Sequence, residues 1–347
     1  MTQHRSTPTL PRSLWSVGVA AVLIAALLGT CIGAVWISPM HVLDIVMTHI
    51  AGIHLASSAT STEDTIIWQL RLPRVVLALF VGSILATSGC AYQGTFRNPL
   101  ADPYLLGVSA GASLGATSAI VFSNSTVHWL LPLASFTGAM MAVGLTYSLG
   151  RSALVGRSAT SLILAGVAVA SLLTAIQTLV QQRNSDKIRE VYGWILGRLS
   201  TSGWSDVQLV APYIIVCTAI LWQHRRVLDV FSVGDEEALS MGLPVNRARA
   251  AIIIAASLGT AAAVSVTGLI GFVGIIVPHT IRLFTGNSYR RLMPLTIAFG
   301  GVFLVFADII SRTVLAPQEI PIGVVTALLG APFFLFVLGS SRNGEIS

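Results

Sequence analysis

Long apolar runs, separated by short polar segments, dominate the sequence. A helix needs about 20 mostly apolar residues to cross the hydrocarbon core of a bilayer. On that measure the pattern predicts ten membrane-spanning helices, near residues 15–37, 70–92, 104–122, 128–149, 159–181, 204–222, 250–268, 269–284, 292–313 and 322–339. The eighth span is short and contains Pro278, so we expect a broken or partly buried helix there.

Composition places the chain in the same class. Hydrophobic residues make up 54% and charged residues 10% of the 347 residues, whereas a soluble domain carries roughly 25% charged residues. A single soluble domain could not bury that much apolar surface. We therefore predict an all-α integral membrane protein with one transmembrane domain over residues 14–340 and short tails at 1–13 and 341–347.

The placement of arginine predicts the orientation of the helices, because cytoplasmic loops carry the excess of positive charge. With both termini cytoplasmic, ten crossings put the following residues on the cytoplasmic side: Arg151, Arg157, Arg225, Arg226, Arg247, Arg249, Arg290, Arg291 and Arg342. Arg71 and Arg74, in "RLPR", then face outward as exceptions. The pI of about 9.7 therefore reflects topology and lipid headgroups and does not indicate nucleic-acid binding.

Two polar connections are long enough to form structure. In the outward segment "SDKIREVYGWILGRL", Ile188, Val191, Ile195 and Leu199 recur at helical spacing, which predicts an amphipathic helix along the membrane surface. The cytoplasmic segment at about 224–249 contains "GDEEALSMGLP", the densest run of acidic residues in the chain. We interpret it as one or two short helices on a docking surface, the alternative being an ordinary solvated acidic turn.

Small residues indicate helix packing more than chemistry. Gly107, Gly111 and Gly115 form a ladder that lets two helix backbones approach closely in lipid. Cys31, Cys90 and Cys217 all fall inside apolar runs, where a cysteine behaves as a small hydrophobic residue. The cysteines therefore suggest neither a disulfide framework nor a metal site.

Groups that could support catalysis are sparse. Asp308 and Arg312 stand four apart near the end of the ninth span, which predicts an i,i+4 ion pair. His279 is a weak candidate for the substrate pathway and is more often a structural group in such a setting. The only lysine is Lys187, so the phosphate-binding motif of a nucleotide hydrolase is absent and any ATP must be used by a partner.

Four segments in chain order carry a family resemblance: "RLPRVVLALFVGSILATSGCAYQGTFRNPLADPYLLGVSAGASLGA", "GLIGFVGIIVPHTIRLF", "ADIISR" and "EIPIGVVTALLGAPFFLFVL". They resemble the permease subunits of ABC importers for ferric siderophores, haem and cobalamin. The resemblance implies a cobalamin-importer-like fold of ten helices per subunit, functional as a dimer in the bacterial cytoplasmic membrane. It also implies two ATPase subunits that use ATP and magnesium, an extracytoplasmic substrate-binding protein, and no cofactor bound by this chain.

The resemblance gives roles to particular positions. It implies that Arg71, Arg74 and Arg312 receive acidic residues of the binding protein, a task for which the planar guanidinium is suited. The alternative is that these arginines only anchor their helices at the headgroups. It also implies that a short helix seats in a groove of the ATPase, through Gly234, Glu236, Glu237, Ala238 and Gly242.

The cargo stays open at this stage. We favour an iron chelate, with cobalamin next, and haem is not selected by His279 because that residue lies in a motif shared by the family. An outward basic surface would suit an anionic chelate, although it could equally bind lipid headgroups; it comprises Arg183, Lys187, Arg189 and Arg198. An ATP-independent secondary transporter is the alternative from another class, but acidic residues are missing from mid-membrane positions. A membrane-embedded enzyme fits least, and the second subunit could be the same chain or a relative.

Overall fold

The computed structural model describes residues 12–53, 59–123, 129–151, 159–200 and 203–344, which are largely helical and contain no β-strand. Its helices are α1 (Arg12–Cys31), α2 (Pro39–Ala51), α3 (Ser61–Phe96), α4 (Val108–Phe122), α5 (Leu130–Gly150), α6 (Ala159–Arg183), α7 (Ile188–Ile195), α8 (Trp204–Gln223), α9 (Arg225–Phe231), α10 (Asp235–Ser240), α11 (Val245–Thr267), α12 (Val273–Thr285), α13 (Tyr289–Thr313) and α14 (Ile322–Gly344). Most of the predicted N-terminal tail, Arg157 and residues 345–347 lie outside these ranges.

The ten predicted spans correspond to ten apolar helices. Seven are long and apolar enough to cross a membrane, namely α1, α3, α5, α6, α8, α11 and α13. The other three, α4, α12 and the first part of α14, are apolar but shorter. The chain is therefore a multi-pass helical membrane protein, as the hydropathy pattern predicts.

The first predicted span ends early, and the chain forms a helix that the pattern did not predict. α1 stops at Cys31 rather than at residue 37, and α2 follows after a short turn. The Ser38 hydroxyl caps α2 by accepting from the Met40 amide at 3.3 Å. With only 13 residues, α2 is too short to cross a bilayer and therefore gave no span signal. Its Val42 and Ile45 pack with the end of α1.

The second predicted span, which corresponds to α3, begins nine residues earlier than predicted, at Ser61. A capping box starts it, because the Thr60 amide donates to Glu63 Oε2 at 2.8 Å and the Glu63 amide donates to Thr60 Oγ1 at 3.2 Å. A π-helical stretch, Ile66–Arg71, then precedes the regular α-helix that starts at Leu72. Arg71, one of the two outward exceptions, is the last residue of this stretch.

The eighth span is short and partly buried, as predicted, but the break is not at Pro278. That proline lies inside the continuous helix α12, and the non-helical segment is 268–272, between α11 and α12. The Tyr104 hydroxyl donates to the Ile270 carbonyl and accepts from the Ile270 amide, each at 3.0 Å. Irregular backbone inside a membrane protein needs such internal partners, so Tyr104 makes this break possible.

The bundle is built around α3 and α11, the two spans with the largest buried share. α3 packs against α8, α11, α12 and α13, while α4, α5 and α6 form a group that contacts α11. At the centre of the α3–α13 crossing, a Cβ atom on Gly82 would collide with the Gly300 carbonyl oxygen, and the reverse also holds. The two backbones therefore approach closely at this pair of glycines.

The predicted glycine ladder is divided between two tasks. Cβ atoms on Gly111 and Gly115 would collide with α5 backbone at Gly138 and Ala134, so these two glycines allow the close contact of α4 with α5. Gly107 instead precedes α4 with a φ of 81°, a conformation that favours glycine.

The amphipathic segment does form a helix, α7, but its apolar side does not lie on the membrane surface. Val191 and Trp194 are only 1% and 4% exposed and belong to the core of the bundle. Leu199, just beyond the helix, is buried in the same core. The prediction was wrong on this point because hydrophobic periodicity identifies a buried face without identifying what covers it.

The helix crossing gives a stability prediction. We expect Gly82→Ala to lower the free energy of unfolding by about 1–3 kcal/mol, because the added methyl group must push two backbones apart. Gly144→Ala is the matched control, since no atom lies within 4 Å of a Cβ built there. Thermal unfolding in the same detergent measures both. Equal melting temperatures for the two variants would contradict the close crossing.

Candidate functional site

Three arginines from two distant helices meet at one end of the bundle. Arg71 and Arg74 belong to α3, and Arg312 belongs to α13. We call the cluster of these three arginines with Asp308 and Glu319 the arginine end. The arginines are only 8%, 9% and 7% exposed, respectively. Their burial means that each guanidinium must find partners within the protein.

Arg71 and Arg312 both bind the C-terminal end of α1. Arg71 Nη1 donates to the carbonyl oxygens of Thr30 at 3.0 Å and Cys31 at 2.9 Å, and Arg312 Nη2 donates to the Gly29 carbonyl at 2.7 Å. The last carbonyls of a helix have no partner within the helix and carry partial negative charge. The two guanidinium groups therefore cap α1 and fix it against α3 and α13.

Arg74 bridges two carboxylates. Its Nε donates to Asp308 Oδ1 at 2.9 Å, while Nη1 and Nη2 donate to the two oxygens of Glu319 at 2.8 and 3.0 Å. Asp308 is fully buried, whereas the Glu319 side chain is 46% exposed. Arg74 is thus covered from outside by an acidic side chain of the segment between α13 and α14.

The predicted i,i+4 ion pair is confirmed, with Arg312 Nε 3.1 Å from Asp308 Oδ2. It is part of a larger network, because Arg74 approaches the same carboxylate from α3 at 2.8 Å. Glu319 could not be predicted as a partner, because it follows the turn at 314–318 and has no spacing relation to Arg74. Only the packing of α3 against α13 brings these groups together.

The acidic segment lies at the opposite end of the bundle and forms two short helices, α9 and α10, as predicted. Glycines bound α10, since Gly234 precedes it with a φ of 149° and Gly242 follows it with a φ of 78°. The Leu243 amide donates to the Ala238 carbonyl at 3.1 Å and closes the helix. Ala238 is fully buried beneath α10, so the helix is fixed to the bundle along one side.

The other side of this segment is exposed and mixes acidic with apolar groups. Glu236 and Glu237 are exposed on α10. Three large apolar residues are exposed nearby: Val233, Leu239 and Met241. Exposed apolar groups rimmed by charge are typical of a protein contact surface. We call these five residues the α10 surface.

Asp229, Asp235 and Arg249 were not singled out from the sequence as members of a site, yet they connect the short helices to the bundle. Arg249 Nη2 lies 2.8 Å from Asp235 Oδ1, and Asp229 Oδ1 accepts from the Tyr289 amide at 2.6 Å. The local acidic run pointed toward solvent, and only the tertiary structure shows that two aspartates turn inward. We call the group formed by Asp229, Asp235 and Arg249 the aspartate end.

His279 and the cysteines show no sign of metal ligation. The His279 ring contacts Phe333 edge to face with centroids 5.8 Å apart. Cys31, Cys90 and Cys217 are buried free thiols. Within the part of the chain that the structure describes, no three His, Cys, Asp or Glu side chains converge as a metal site would require.

The sequence match that decides the family spans nearly the whole bundle, because residues 21–340 match the model of the FecCD transport family. The chain belongs to the FecCD transport family. It is 42% identical over 286 residues to the cobalamin import permease BtuC of Halobacterium salinarum, covering 82% of this chain and 75% of the relative. It is 33% identical to the Fe(3+)-citrate import permease YfmE of Bacillus subtilis, covering 96% and 97%.

A solved structure supports the same assignment. A protein described as a metal-chelate type ABC transporter in an inward-facing conformation superposes with a TM-score of 0.83 at 28% identity. The match covers 95% of this chain and all of the other. Its extent shows that this FecCD chain has the helical architecture of an ABC transporter permease, consistent with the sequence resemblance.

The burial of Asp308 predicts that substitutions at the two acidic residues of the arginine end lower the free energy of unfolding by very different amounts. Asp308→Asn leaves the buried Arg312 without a balancing charge and leaves Arg74 with Glu319 alone, and it should cost about 3–5 kcal/mol of unfolding free energy. Glu319→Gln, at a half-exposed site, should cost about 1 kcal/mol or less. Thermal unfolding in detergent compares the two. A smaller loss for Asp308→Asn than for Glu319→Gln would show that the network does not depend on Asp308.

Proposed function

We propose that the chain is the permease subunit of an ATP-driven ABC importer that moves an iron chelate or cobalamin into the cytoplasm. The observation that carries this proposal is the FecCD match over residues 21–340. ATP and magnesium are used by separate subunits, in keeping with a sequence whose only lysine, Lys187, stands outside any phosphate-binding motif. The chain itself acts in transport and not as an enzyme.

The proposed cargo is an iron chelate, either a ferric siderophore or haem. The similarity to the Fe(3+)-citrate permease and to the metal-chelate transporter supports this choice. Cobalamin is the second candidate, favoured by the 42% identity to the cobalamin permease. Each cargo reaches the permease on a binding protein, so purified loaded binding proteins can distinguish them.

The arginine end faces outward in this proposal and the aspartate end faces the cytoplasm. Arg225, Arg226 and Arg290 stand together at the aspartate end, where burial and the two neighbouring charges lower the pKa of Arg225. Such a concentration of arginine favours the cytoplasmic side. Both termini are then cytoplasmic, and the chain itself lies in the cytoplasmic membrane of the cell.

A second permease subunit, in our proposal a copy of this chain, completes the transport pathway. The burial of α6 supports a second subunit, because this span has the smallest buried share of the seven long helices. Its exposed residues include Ser171, Thr174 and Thr178, which recur at helical spacing. Ser171 and Thr178 donate to the Val167 and Thr174 carbonyls of the same helix, and the lone pairs left on their hydroxyl oxygens can accept from a second subunit or from water between the subunits.

Docking of the binding protein at the arginine end is proposed as an exchange of carboxylates. Arg71 and Arg312 hold α1 through its carbonyls and are not free to leave. Arg74, in contrast, is covered by the half-exposed Glu319. An acidic residue of the binding protein can take the place of Glu319 on the same guanidinium fork without uncovering Asp308.

The ATPase in this proposal seats on the α10 surface. Leu239 and Met241 supply exposed apolar area, and Glu236 and Glu237 supply charge for a basic rim on the partner. The glycine-bounded helix α10 provides a rigid element on which closure of the ATPase can act.

The assembled complex tests the proposal and the cargo together. Tagged chain is purified with the ATPase and binding protein that accompany it, and is reconstituted in proteoliposomes. We expect a binding protein loaded with a ferric chelate to stimulate ATP hydrolysis and uptake of radiolabelled iron. Stimulation by a cobalamin-loaded binding protein instead would select the second candidate. Uptake of substrate without any ATPase, driven by an ion gradient, would contradict the importer proposal.

The carboxylate exchange predicts opposite effects for two substitutions. Glu319→Gln removes the competing charge from Arg74 and should strengthen capture of the binding protein by about two- to fivefold, because an exposed ion pair contributes up to about 1 kcal/mol. Arg74→Gln should weaken capture and reduce its dependence on salt. Binding to nanodiscs at two salt concentrations measures both. Arg198→Gln is the control, as an exposed arginine in the connection between α7 and α8. Unchanged capture by both variants would remove Arg74 from the dock.

A further inference from the structure

The side of α9 and α10 that faces the bundle is tied by charged groups to three membrane helices. We infer that Asp229, Asp235 and Arg249 are positioning residues that transmit movement of α9 and α10 to α3, α11 and α13. The inference rests on the proposed function, because it assumes that an ATPase seats on the α10 surface. It concerns the contacts that these short helices make with the bundle, whereas the docking proposal concerns the side of them that faces solvent.

Arg249 holds both short helices at once. It lies in the first turns of α11, and its Nη2 is 2.8 and 2.9 Å from the two carboxylate oxygens of Asp235 in α10. Its guanidinium also lies 5.4 Å from the ring centroid of Phe231 in α9, which is fully buried. Arg249 itself is only 9% exposed, so the contact is partly shielded from solvent. A charge pair shielded in this way is stronger than an exposed one.

Asp235 also reaches toward α3. Arg97, the residue that follows the last residue of α3, places Nη2 3.7 Å from Asp235 Oδ1. Arg97 adopts a φ of 50° there, so the chain turns at the point where its side chain meets Asp235. The carboxylate of Asp235 therefore lies between the end of α3 and the beginning of α11.

Asp229 performs a separate task at the beginning of α13. Its Oδ1 accepts from the Tyr289 amide at 2.6 Å, and its Oδ2 accepts from the Ser288 hydroxyl at 3.2 Å. Arg290 Nε adds an ion-pair contact at 3.3 Å. The Ser288 side chain makes no capping bond to its own helix, so the cap of α13 comes from α9. A helix N-terminus attracts a carboxylate, which makes this a directed attachment.

Two of the three attachments act on helices that form the arginine end, α3 and α13. From Arg74, α3 continues as one helix to Phe96, about 33 Å away and directly before Arg97. α13 extends from the Asp229 contact at Tyr289 to Arg312. A rigid helix moves as a body, so displacement of α9 and α10 reaches the arginine end without a chain of side-chain rearrangements.

The measurement that separates transmission from stability is the number of substrate molecules transported per ATP hydrolysed in the reconstituted complex. We expect Arg249→Gln and Asp235→Ala each to lower this ratio about five- to tenfold while the complex still assembles and hydrolyses ATP. Arg247→Gln is the matched control, because Arg247 lies two residues before Arg249 on the same helix and is exposed. It should leave the ratio unchanged.

Two further comparisons keep the test independent of folding. Arg249→Lys keeps a positive charge opposite Asp235, which a single guanidinium nitrogen of Arg249 contacts, and should recover much of the ratio if the charge pair transmits movement. Asp229→Asn keeps an oxygen acceptor for the Tyr289 amide and should resemble the wild type, whereas Asp229→Ala should lower the ratio. Melting temperatures are recorded for each variant.

Several outcomes would overturn the inference. One is a wild-type ratio in folded Arg249→Gln and Asp229→Ala complexes; another is an Arg249→Lys complex that folds but stays as low as Arg249→Gln. The proposed function fails differently, through a wild-type chain that binds no ATPase or transports nothing on ATP hydrolysis. A functional importer with unaffected variants would therefore reject only the positioning role.

Discussion

The carboxylate of Asp308 is fully buried between Arg74 and Arg312, and the arrangement of one end of the bundle depends on it. A buried charge is tolerated only when opposite charges and hydrogen bonds replace water. The same two arginines also reach outward from this carboxylate, one to Glu319 and the other to the Gly29 carbonyl. One buried charge thereby fixes four parts of the chain: α1, α3, α13 and the segment before α14.

The two ends and the middle of the bundle are held by different forces. Charged groups connect the helices at the arginine end and at the aspartate end, where their outer atoms can still reach water. In between, α3 crosses α13 at Gly82 and Gly300, where close backbone contact replaces side-chain chemistry. This division follows from the bilayer, because hydrocarbon excludes charge but gives small residues an advantage in packing. A helix fixed at both ends and closely packed at its middle can move only as a unit.

The spans could be predicted from the sequence because bilayer thickness imposes a length that hydropathy reveals directly. Features shorter than a span could not: α2 is too short, and the break at 268–272 depends on the Tyr104 hydroxyl from a distant segment. The Asp308–Arg312 pair was predictable because its members are four residues apart on one helix. The partners of Arg74 were not, since Glu319 stands 245 positions away and meets it only through helix packing. Tertiary contact likewise decides that Asp235 turns inward while Glu236 and Glu237 face solvent.

Arg71 and Arg74, the outward exceptions to the charge bias, and Arg312 all stabilise the bundle itself, because each guanidinium binds groups of this chain. Arg71 and Arg312 cap α1, and guanidinium groups that left this helix would take away the donors that the Thr30 and Gly29 carbonyls bind. Arg74 alone has an acidic neighbour at the surface that can be replaced by another acid of the same geometry. A binding protein that engaged Arg74 would therefore act on α3 and, through Asp308, on α13. Those are the two helices whose far ends meet Asp235 and Asp229, so the docking event and the site of ATP use would share the same rigid elements.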